Sequence, residues 1–140
     1  MKNKAVFLDR DGVINRAIVR DGKPYPPASL AEFEILPGTK EALDKLKAAG
    51  YLLIVVTNQP DVGRGTQQKS IVEEMHEVLI DALPLDEIYV CYHGYDGECE
   101  GGKPRPGMLI KAAKKHNIDL SKSFMIGDRS KDMEAGKAAG

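Results

Sequence analysis

The sequence predicts an α/β domain built on a doubly wound, Rossmann-like parallel sheet. Short, continuous apolar runs recur along the chain, and segments with helical periodicity separate them. Apolar runs that are continuous rather than alternating are typical of strands covered on both faces. Strands that alternate with helices favour a parallel sheet with right-handed crossovers. Ligands bind such sheets beyond the carboxyl ends of the strands, so the polar residues directly after each run are the candidates for function.

The predicted strands cover residues 5–8, 52–56, 88–91 and 124–126. The first predicted helix carries its apolar residues on one face and stops at Gly50, since glycine commonly ends helices. The second begins at Thr66, a suitable N-cap, and the third opens at Pro106, a residue that the first helical turn accepts. A fourth helix is expected to begin near Ser130.

A chain of 140 residues is long enough for one domain with its own hydrophobic core. We expect residues 1–140 to form that single domain, with short loop inserts and no large cap. The first insert, residues 20–28, is rich in proline and is predicted to be a surface loop or flap. The second is the loop 91–102. Because the fourth helix starts so close to Gly140, we expect the domain to be truncated at its C-terminus.

The charge of the chain is nearly balanced. Lysine and arginine together number 20 and aspartate and glutamate 21, which gives a net charge of −1. This balance provides no basic surface for nucleic acid or an anionic membrane, although a few local cations suffice for one phosphate group. No segment approaches the ~20 apolar residues that span a bilayer, and the apolar run after Lys4 is too short for a signal peptide. We expect a cytoplasmic, monomeric protein with neither nucleic acid nor a membrane as its partner.

Two carboxylates follow the first predicted strand, in the sequence Asp9-Arg10-Asp11-Gly12. Carboxylates two residues apart on an extended backbone point to the same side, and Gly12 allows the chain to turn sharply. One carboxylate can attack a phosphorus atom while the other donates a proton to the leaving oxygen and then activates water. An isolated Asp-x-Asp sequence is equally compatible with an ordinary turn that carries solvated charges.

The second predicted strand ends in Thr57-Asn58-Gln59, whose hydroxyl and amide groups are suited to phosphate oxygens. Residues of this kind are also common in turns that follow strands. Arg64 lies in the glycine-containing loop that comes next, where it can reach a substrate or face water. The candidate substrate-binding residues of this region are Asn58, Gln59 and Arg64.

A cation and a carboxylate follow the third and fourth predicted strands. Lys103 precedes a proline, which keeps its backbone extended, and its ammonium group can neutralise a phosphate. Asp128 offers the hard oxygen ligand that Mg²⁺ prefers. Asp132, one helical turn later, can orient Lys103 or a water, or can simply favour the positive N-terminus of its helix. Each motif is weak alone, but together they stand at the carboxyl ends of all the predicted strands.

In combination these motifs resemble those of the haloacid dehalogenase superfamily. The set Asp-Arg-Asp-Gly, Thr-Asn-Gln, Cys-x-His and Lys-Pro-x-Pro-Gly-Met is similar to the branch that contains heptose bisphosphate and histidinol-phosphate phosphatases. The resemblance covers essentially the whole chain. It implies a Mg²⁺-dependent phosphatase that acts through an aspartyl-phosphate on a small phosphorylated metabolite, above all a sugar phosphate such as D-glycero-D-manno-heptose 1,7-bisphosphate.

The resemblance also implies roles for individual residues. Asp9 is the nucleophile and Asp11 the general acid and base. Mg²⁺ is held by Asp9, the backbone carbonyl of Asp11, and Asp128. The residues implied to hold the phosphoryl group or contact substrate are Thr57, Asn58, Lys103 and Arg129. The heptose enzymes also have an arginine before the motif lysine, and Gly102 stands there in this chain.

Zinc is the second departure from the branch, which carries Cys-x-His followed by Cys-x-Cys as zinc ligands. This chain has Cys91, His93 and Cys99, with Gly101 in place of the fourth ligand. Structural zinc is almost always four-coordinate, so either another group completes the site or it has decayed and binds nothing. The groups that could complete it are Asp96, Glu98, Glu100 or a water. In a reducing compartment the cysteines are expected to be thiols or metal ligands rather than a disulfide. The histidines His76 and His116 are expected to be ordinary helix-surface residues.

Other functions stay open at this point. Histidinol phosphate and a nucleic-acid 3′-phosphate are the rival substrates, and the near-neutral charge weighs mildly against nucleic acid. A rival from another class is a non-catalytic remnant that binds phosphate or metal. The early C-terminus favours the remnant, whereas the filled catalytic positions disfavour it.

Overall fold

The computed structural model describes residues 3–16, 18–20, 23–25, 29–58, 65, 67–91 and 107–126. The strands are β1 (Lys4–Leu8), β2 (Ile18–Arg20), β3 (Lys23–Tyr25), β4 (Tyr51–Asn58), β5 (Glu87–Cys91) and β6 (Phe124–Ile126). The helices are α1 (Thr39–Ala48), α2 (Lys69–Ala82) and α3 (Gly107–His116), and a 3-10 turn covers Leu120–Lys122.

Within the described residues, the main sheet has four parallel strands in the order β5-β4-β1-β6. Successive crossovers lead from β1 to β4 and β5, and the chain then returns to the other side of β1 to form β6. The strand order therefore reverses between β1 and β6, which is where doubly wound sheets bind their ligands. This topology confirms the predicted fold class, and the four predicted strands are the four strands of this sheet.

The core lies on both faces of the sheet. On one face Phe7 and Ile54 pack in a cluster with Leu109 of α3. On the other face Leu8 packs in a cluster with residues of α1 and α2, among them Leu79. Neighbouring residues of a strand thus alternate between two buried layers, because successive side chains point to opposite faces. Burial on both sides explains why the strand sequences read as continuous apolar runs.

The helix boundaries agree with the sequence in part. The segment after α1 contains Gly50 with a φ of 94°, a backbone conformation that favours glycine, so the predicted stop is confirmed. The prediction that Thr66 caps α2 is wrong, because the N-cap is Gln68 and the helix begins at Lys69. The first buried residue of α2 is Val72, so packing against the sheet does not require an earlier turn. Helix α3 begins at Gly107; Thr66 and Pro106 themselves lie outside the described residues.

The segment 20–28, predicted to be a surface loop or flap, contains regular structure that the sequence analysis did not predict. Strands β2 and β3 form an antiparallel hairpin in which Ile18 pairs with Tyr25 and Val19 with Pro24. Proline is tolerated in such an isolated two-stranded ribbon because an edge strand need not donate every ladder hydrogen bond. The sequence signal was Asp-Gly at positions 21 and 22, a common hairpin turn pair, which the nearby prolines obscured.

The predicted fourth helix near Ser130 lies outside the described residues. Within the part of the chain that the structure describes, no helix combines the length and the apolar character needed to cross a bilayer.

Candidate active site at the carboxyl edge of the sheet

Asp9 lies at the point where the strand order reverses. It directly follows β1, and its backbone N–H donates to the carbonyl oxygen of Ile126, the last residue of β6, at 2.9 Å. This bond extends the pairing of β1 with β6 by one residue. The Asp9 side chain is buried, and its Oδ1 accepts a hydrogen bond from the backbone N–H of Arg10 at 2.8 Å. Backbone and side chain are thus both fixed at the sheet edge where ligands bind.

A tight turn after Asp9 positions Asp11. Gly12 has a φ of 87°, and its N–H donates to the carbonyl oxygen of Asn15 at 2.8 Å. The carbonyl oxygen of Arg10 accepts from the N–H of Ile14 at 2.9 Å. The predicted sharp turn at Gly12 is therefore confirmed. It leaves Asp11 buried beside the end of β1, with only 9% of its surface exposed.

One oxygen of Asp11 accepts N–H bonds from three nitrogen atoms. Its Oδ1 lies 3.1 Å from Nε and 2.8 Å from Nη2 of Arg10, and 3.0 Å from Nδ2 of Asn15. Bonds from a guanidinium to a carboxylate are stronger than neutral ones, and the planar fork fixes the orientation of its partner. The plane of the Asp11 carboxyl group is therefore set by Arg10 and Asn15.

Arg10 is itself wholly buried. On the side away from Asp11, its Nη1 lies 3.2 Å from Nε2 of His76 and 3.8 Å from Sδ of Met75. Its guanidinium carbon lies 5.6 Å from the centre of the Phe33 ring, within the range of a cation–π contact. A buried charge is tolerated only when it is paired and hydrogen-bonded, and these contacts meet that condition.

The prediction that His76 is an ordinary surface histidine is wrong. Only 7% of His76 is exposed, and it lies on the face of α2 that also buries Val72, Met75 and Leu79. Burial, together with the neighbouring charge of Arg10, lowers the pKa of His76 from 6.5 to about 4, although the Asp11 carboxylate acts in the opposite direction. The spacing of these residues along the apolar face of α2 was the signal that could have found it.

His116 differs from the expectation as well. It is half-buried at the end of α3, and its Nε2 lies 2.5 Å from Oε2 of Glu87 at the start of β5. This contact is at the amino end of β5, so His116 belongs to the opposite edge of the sheet from Asp9.

Thr57 and Asn58 lie at the same edge as Asp9. They are the last residues of β4, and Thr57 is completely buried. The parallel register pairs Leu8 with Val55. Asp9 is one residue beyond Leu8, the end of its strand, and Thr57 is two residues beyond Val55 on the neighbouring strand. The structure therefore brings the ends of the first two predicted motifs together, as expected for neighbouring parallel strands.

The remaining predicted site residues divide into two groups. Cys91 is the last residue of β5, where its backbone is paired with Asn58. Outside the described residues lie Gln59, Arg64, His93, Cys99, Lys103, Asp128, Arg129 and Asp132. Among the residues that are described, no group of three His, Cys, Asp or Glu side chains is placed to hold a metal ion.

The donors at the Asp9 edge fit magnesium in their chemistry. The carboxylate of Asp9 and the backbone carbonyl of Asp11 are hard oxygen donors, the type that Mg²⁺ takes. Mg²⁺ is usually held by one or two carboxylates together with waters and phosphate oxygens, so a site with few protein ligands suits it.

Comparison with known proteins identifies the family of this chain. A family model described as haloacid dehalogenase-like hydrolase matches residues 15–140. The chain is 43% identical over 147 aligned residues to a D-glycero-beta-D-manno-heptose-1,7-bisphosphate 7-phosphatase of Pasteurella multocida, covering 97% of this chain and 77% of that protein. It is 40% identical to the protein of the same name from Helicobacter pylori strain J99, covering 96% of this chain and 77% of that one.

A solved structure with the same fold is the D,D-heptose 1,7-bisphosphate phosphatase from B. bronchiseptica, described as complexed with magnesium and phosphate. The two superpose with a TM-score of 0.84 at 32% sequence identity, over 98% of this chain and 76% of that one.

Proposed function

Because the chain belongs to the haloacid dehalogenase-like hydrolases, we propose that it is a Mg²⁺-dependent phosphatase acting on a sugar phosphate. The observation that carries the proposal is the position of Asp9, tied to both β1 and β6 at the point where the strand order reverses. The relatives and the solved structure named as heptose bisphosphate phosphatases support the same activity.

In the proposed reaction, the Asp9 carboxylate attacks the phosphorus atom of the substrate. The bond from phosphorus to the leaving oxygen breaks, and Asp11 donates a proton to that oxygen. Asp11, now a carboxylate, removes a proton from a water that attacks the aspartyl-phosphate. Inorganic phosphate leaves and the Asp9 carboxylate is restored. Each half of the reaction therefore needs Asp11 in a different protonation state but in the same place.

Several side chains are proposed to hold the phosphoryl group during this reaction. Thr57 and Asn58 supply polar groups from the end of β4, and Lys103 supplies a positive charge. Mg²⁺ would be held by Asp9, the carbonyl of Asp11, and Asp128. When bound, Mg²⁺ would offset the electrostatic repulsion between the anionic nucleophile and the anionic substrate.

The proposed substrate is D-glycero-D-manno-heptose 1,7-bisphosphate, which is supported by the names of the relatives. Gln59, Arg64 and Arg129 are the residues proposed to contact the part of the substrate beyond the phosphate. Histidinol phosphate and a nucleic-acid 3′-phosphate are the alternative substrates, since Gly102 occupies the position of an arginine that the resemblance leads one to expect.

The experiment that tests the function measures phosphate release from sugar phosphates, histidinol phosphate and a 3′-phosphorylated oligonucleotide, with and without Mg²⁺. We expect turnover that depends on Mg²⁺ and favours the heptose bisphosphate. Asp9→Asn should abolish it without unfolding the protein, because the amide keeps the shape of the side chain but is not a nucleophile. If folded wild-type protein with Mg²⁺ hydrolyses none of these compounds, the phosphatase proposal is overturned in favour of a non-catalytic remnant.

Zinc at Cys91, His93 and Cys99 stays a prediction. Elemental analysis of the purified protein, with Cys99→Ser as the comparison, tests it directly. One zinc per chain that is lost in the variant supports the site. Absence of zinc in the wild-type protein supports a decayed site.

A further inference from the structure

Two half-reactions that use one carboxyl group need that group to be held in place by something other than the substrate. Asp11 lies in a tight turn beyond the end of β1 rather than within a strand, so the sheet ladder does not fix its side chain. Three N–H donors on Oδ1 hold it, and two of them come from Arg10. A shift of Arg10 would therefore shift the Asp11 carboxyl group with it.

Arg10 is fixed from a distant part of the chain. Nε and Nη2 are directed to Asp11, and Nη1 is directed to His76 of α2, which is 66 residues away in the sequence. A guanidinium has only donors, so Nε2 of His76 must be the acceptor in this contact. The histidine is therefore in the tautomer that carries its proton on Nδ1. The low pKa of His76, which follows first from its burial, keeps this ring neutral and able to accept.

We propose that Arg10 and His76 are positioning residues that hold the Asp11 carboxyl group in place for proton exchange in both halves of the phosphatase reaction. The proposal rests on the proposed function. A protonated carboxyl group keeps its carbonyl oxygen as an acceptor, so the bonds to Oδ1 are compatible with Asp11 as an acid and as a base.

A purely structural role for His76 would have a different consequence. Loss of a buried acceptor would then lower the amount of folded protein and reduce the turnover of every substrate by the same factor. A defect in the position of Asp11 acts instead on proton transfer to the leaving oxygen. In the first half-reaction, which single-turnover release of the leaving group measures alone, it therefore slows alkyl phosphates, whose leaving alkoxide needs a proton, far more than 4-nitrophenyl phosphate, whose leaving phenolate does not. The second half-reaction, hydrolysis of the aspartyl-phosphate, is slowed equally for both substrates, so it is kept out of the comparison.

The test compares the single-turnover rate of leaving-group release by His76→Leu, His76→Gln and the wild-type protein, with enzyme in excess over a sugar phosphate or over 4-nitrophenyl phosphate. General acid catalysis contributes about 10²–10⁴-fold, so partial misplacement in His76→Leu should lower the single-turnover rate for the sugar phosphate by about 10-fold or more. The single-turnover release of 4-nitrophenol should change little. His76→Gln keeps an acceptor for Nη1 and should restore most of the loss. His116→Leu, a matched change of the other helix histidine at the opposite edge, should leave the ratio of the two rates unchanged.

Two results with the variants overturn the positioning role. One is an equal loss of the single-turnover rate on both substrates in His76→Leu, and the other is a wild-type single-turnover rate on the sugar phosphate in that variant. Nitrogen NMR of the wild-type protein gives a reading that needs no variant: we expect His76 to carry its proton on Nδ1, and a proton on Nε2 overturns the contact with Arg10. If the wild-type protein hydrolyses neither phosphate, the proposed function fails, and the positioning role of Arg10 and His76 fails with it. If the enzyme is active but His76 carries its proton on Nε2, only the positioning role is overturned.

Discussion

Acidification is expected to destabilise the folded protein through His76. The pKa of His76 is about 4 in the folded protein against 6.5 for an ordinary histidine, so the unfolded chain takes up the proton first as the pH falls. The contribution of His76 to stability is therefore complete above pH 6.5 and is lost as the pH falls from 6.5 towards 4. One pKa unit corresponds to about 1.4 kcal/mol, so the free energy of unfolding should fall by about 3 kcal/mol over this range.

The assay is urea unfolding of the wild-type protein and of His76→Gln at a series of pH values from about 7 to about 4. Other groups titrate in the same range, but they do so in both proteins and cancel in the difference. Glutamine accepts the N–H of Arg10 but does not titrate, so the variant should lose the part of the pH dependence that His76 contributes. If the unfolding free energy of the variant falls as steeply as that of the wild-type protein, the inferred burial of a neutral His76 is wrong.

Three further predictions concern stability. Burial alone would raise the pKa of Glu87, but hydrogen bonds from Lys115 and His116 more than offset it and lower the pKa to about 2. Glu87→Gln should therefore destabilise the protein by about 1 kcal/mol at neutral pH, a modest figure because the ion pair is partly exposed. The difference between variant and wild-type protein should vanish as the pH falls from 4.5 through 2. Urea unfolding at neutral and acidic pH measures this difference, and a difference that does not depend on pH would contradict the prediction. Gly50→Ala should cost about 1–2 kcal/mol because the φ of 94° is unfavourable for a residue with a Cβ, and an unchanged thermal midpoint would contradict this. Leu79→Ala should cost about 2–5 kcal/mol in urea unfolding, since Leu79 is wholly buried between α2 and the sheet, and a loss below ~1 kcal/mol would show that the site collapses around the smaller side chain.

The main sheet could be predicted from the sequence because its strands are buried on both faces. Burial of both layers leaves a continuous apolar run, as in Leu53 and Ile54, which belong to opposite clusters of the core. The position of Asp9 and of Thr57 followed from the same rule, since each comes at the carboxyl end of a strand. These inferences need only residues that are neighbours in the chain.

The features that sequence reasoning missed depend on contacts between distant residues or on a mixed local signal. His76 was taken for a surface residue because its partner, Arg10, is 66 positions away. The hairpin of β2 and β3 was missed because Pro24 is a poor strand residue, although the two-residue spacing between the strands favours a turn. The roles of Lys103 and Asp128 stay predictions.

The burial of the Arg10 guanidinium also limits how this protein can evolve. A change of His76 alone to a residue that cannot accept a hydrogen bond would remove the acceptor that Nη1 has in His76, which costs about 1–3 kcal/mol for a buried group and more for a charged one. A change at Arg10 alone would remove the cation that the Asp11 carboxylate faces, while leaving a buried histidine ring behind. The folded protein therefore tolerates a buried Arg10 or a buried His76 best when the other residue is also present. Descendants of this sequence should replace the two together or keep both, and a single replacement of His76 should survive only where the new residue, such as glutamine, itself accepts the N–H of Arg10.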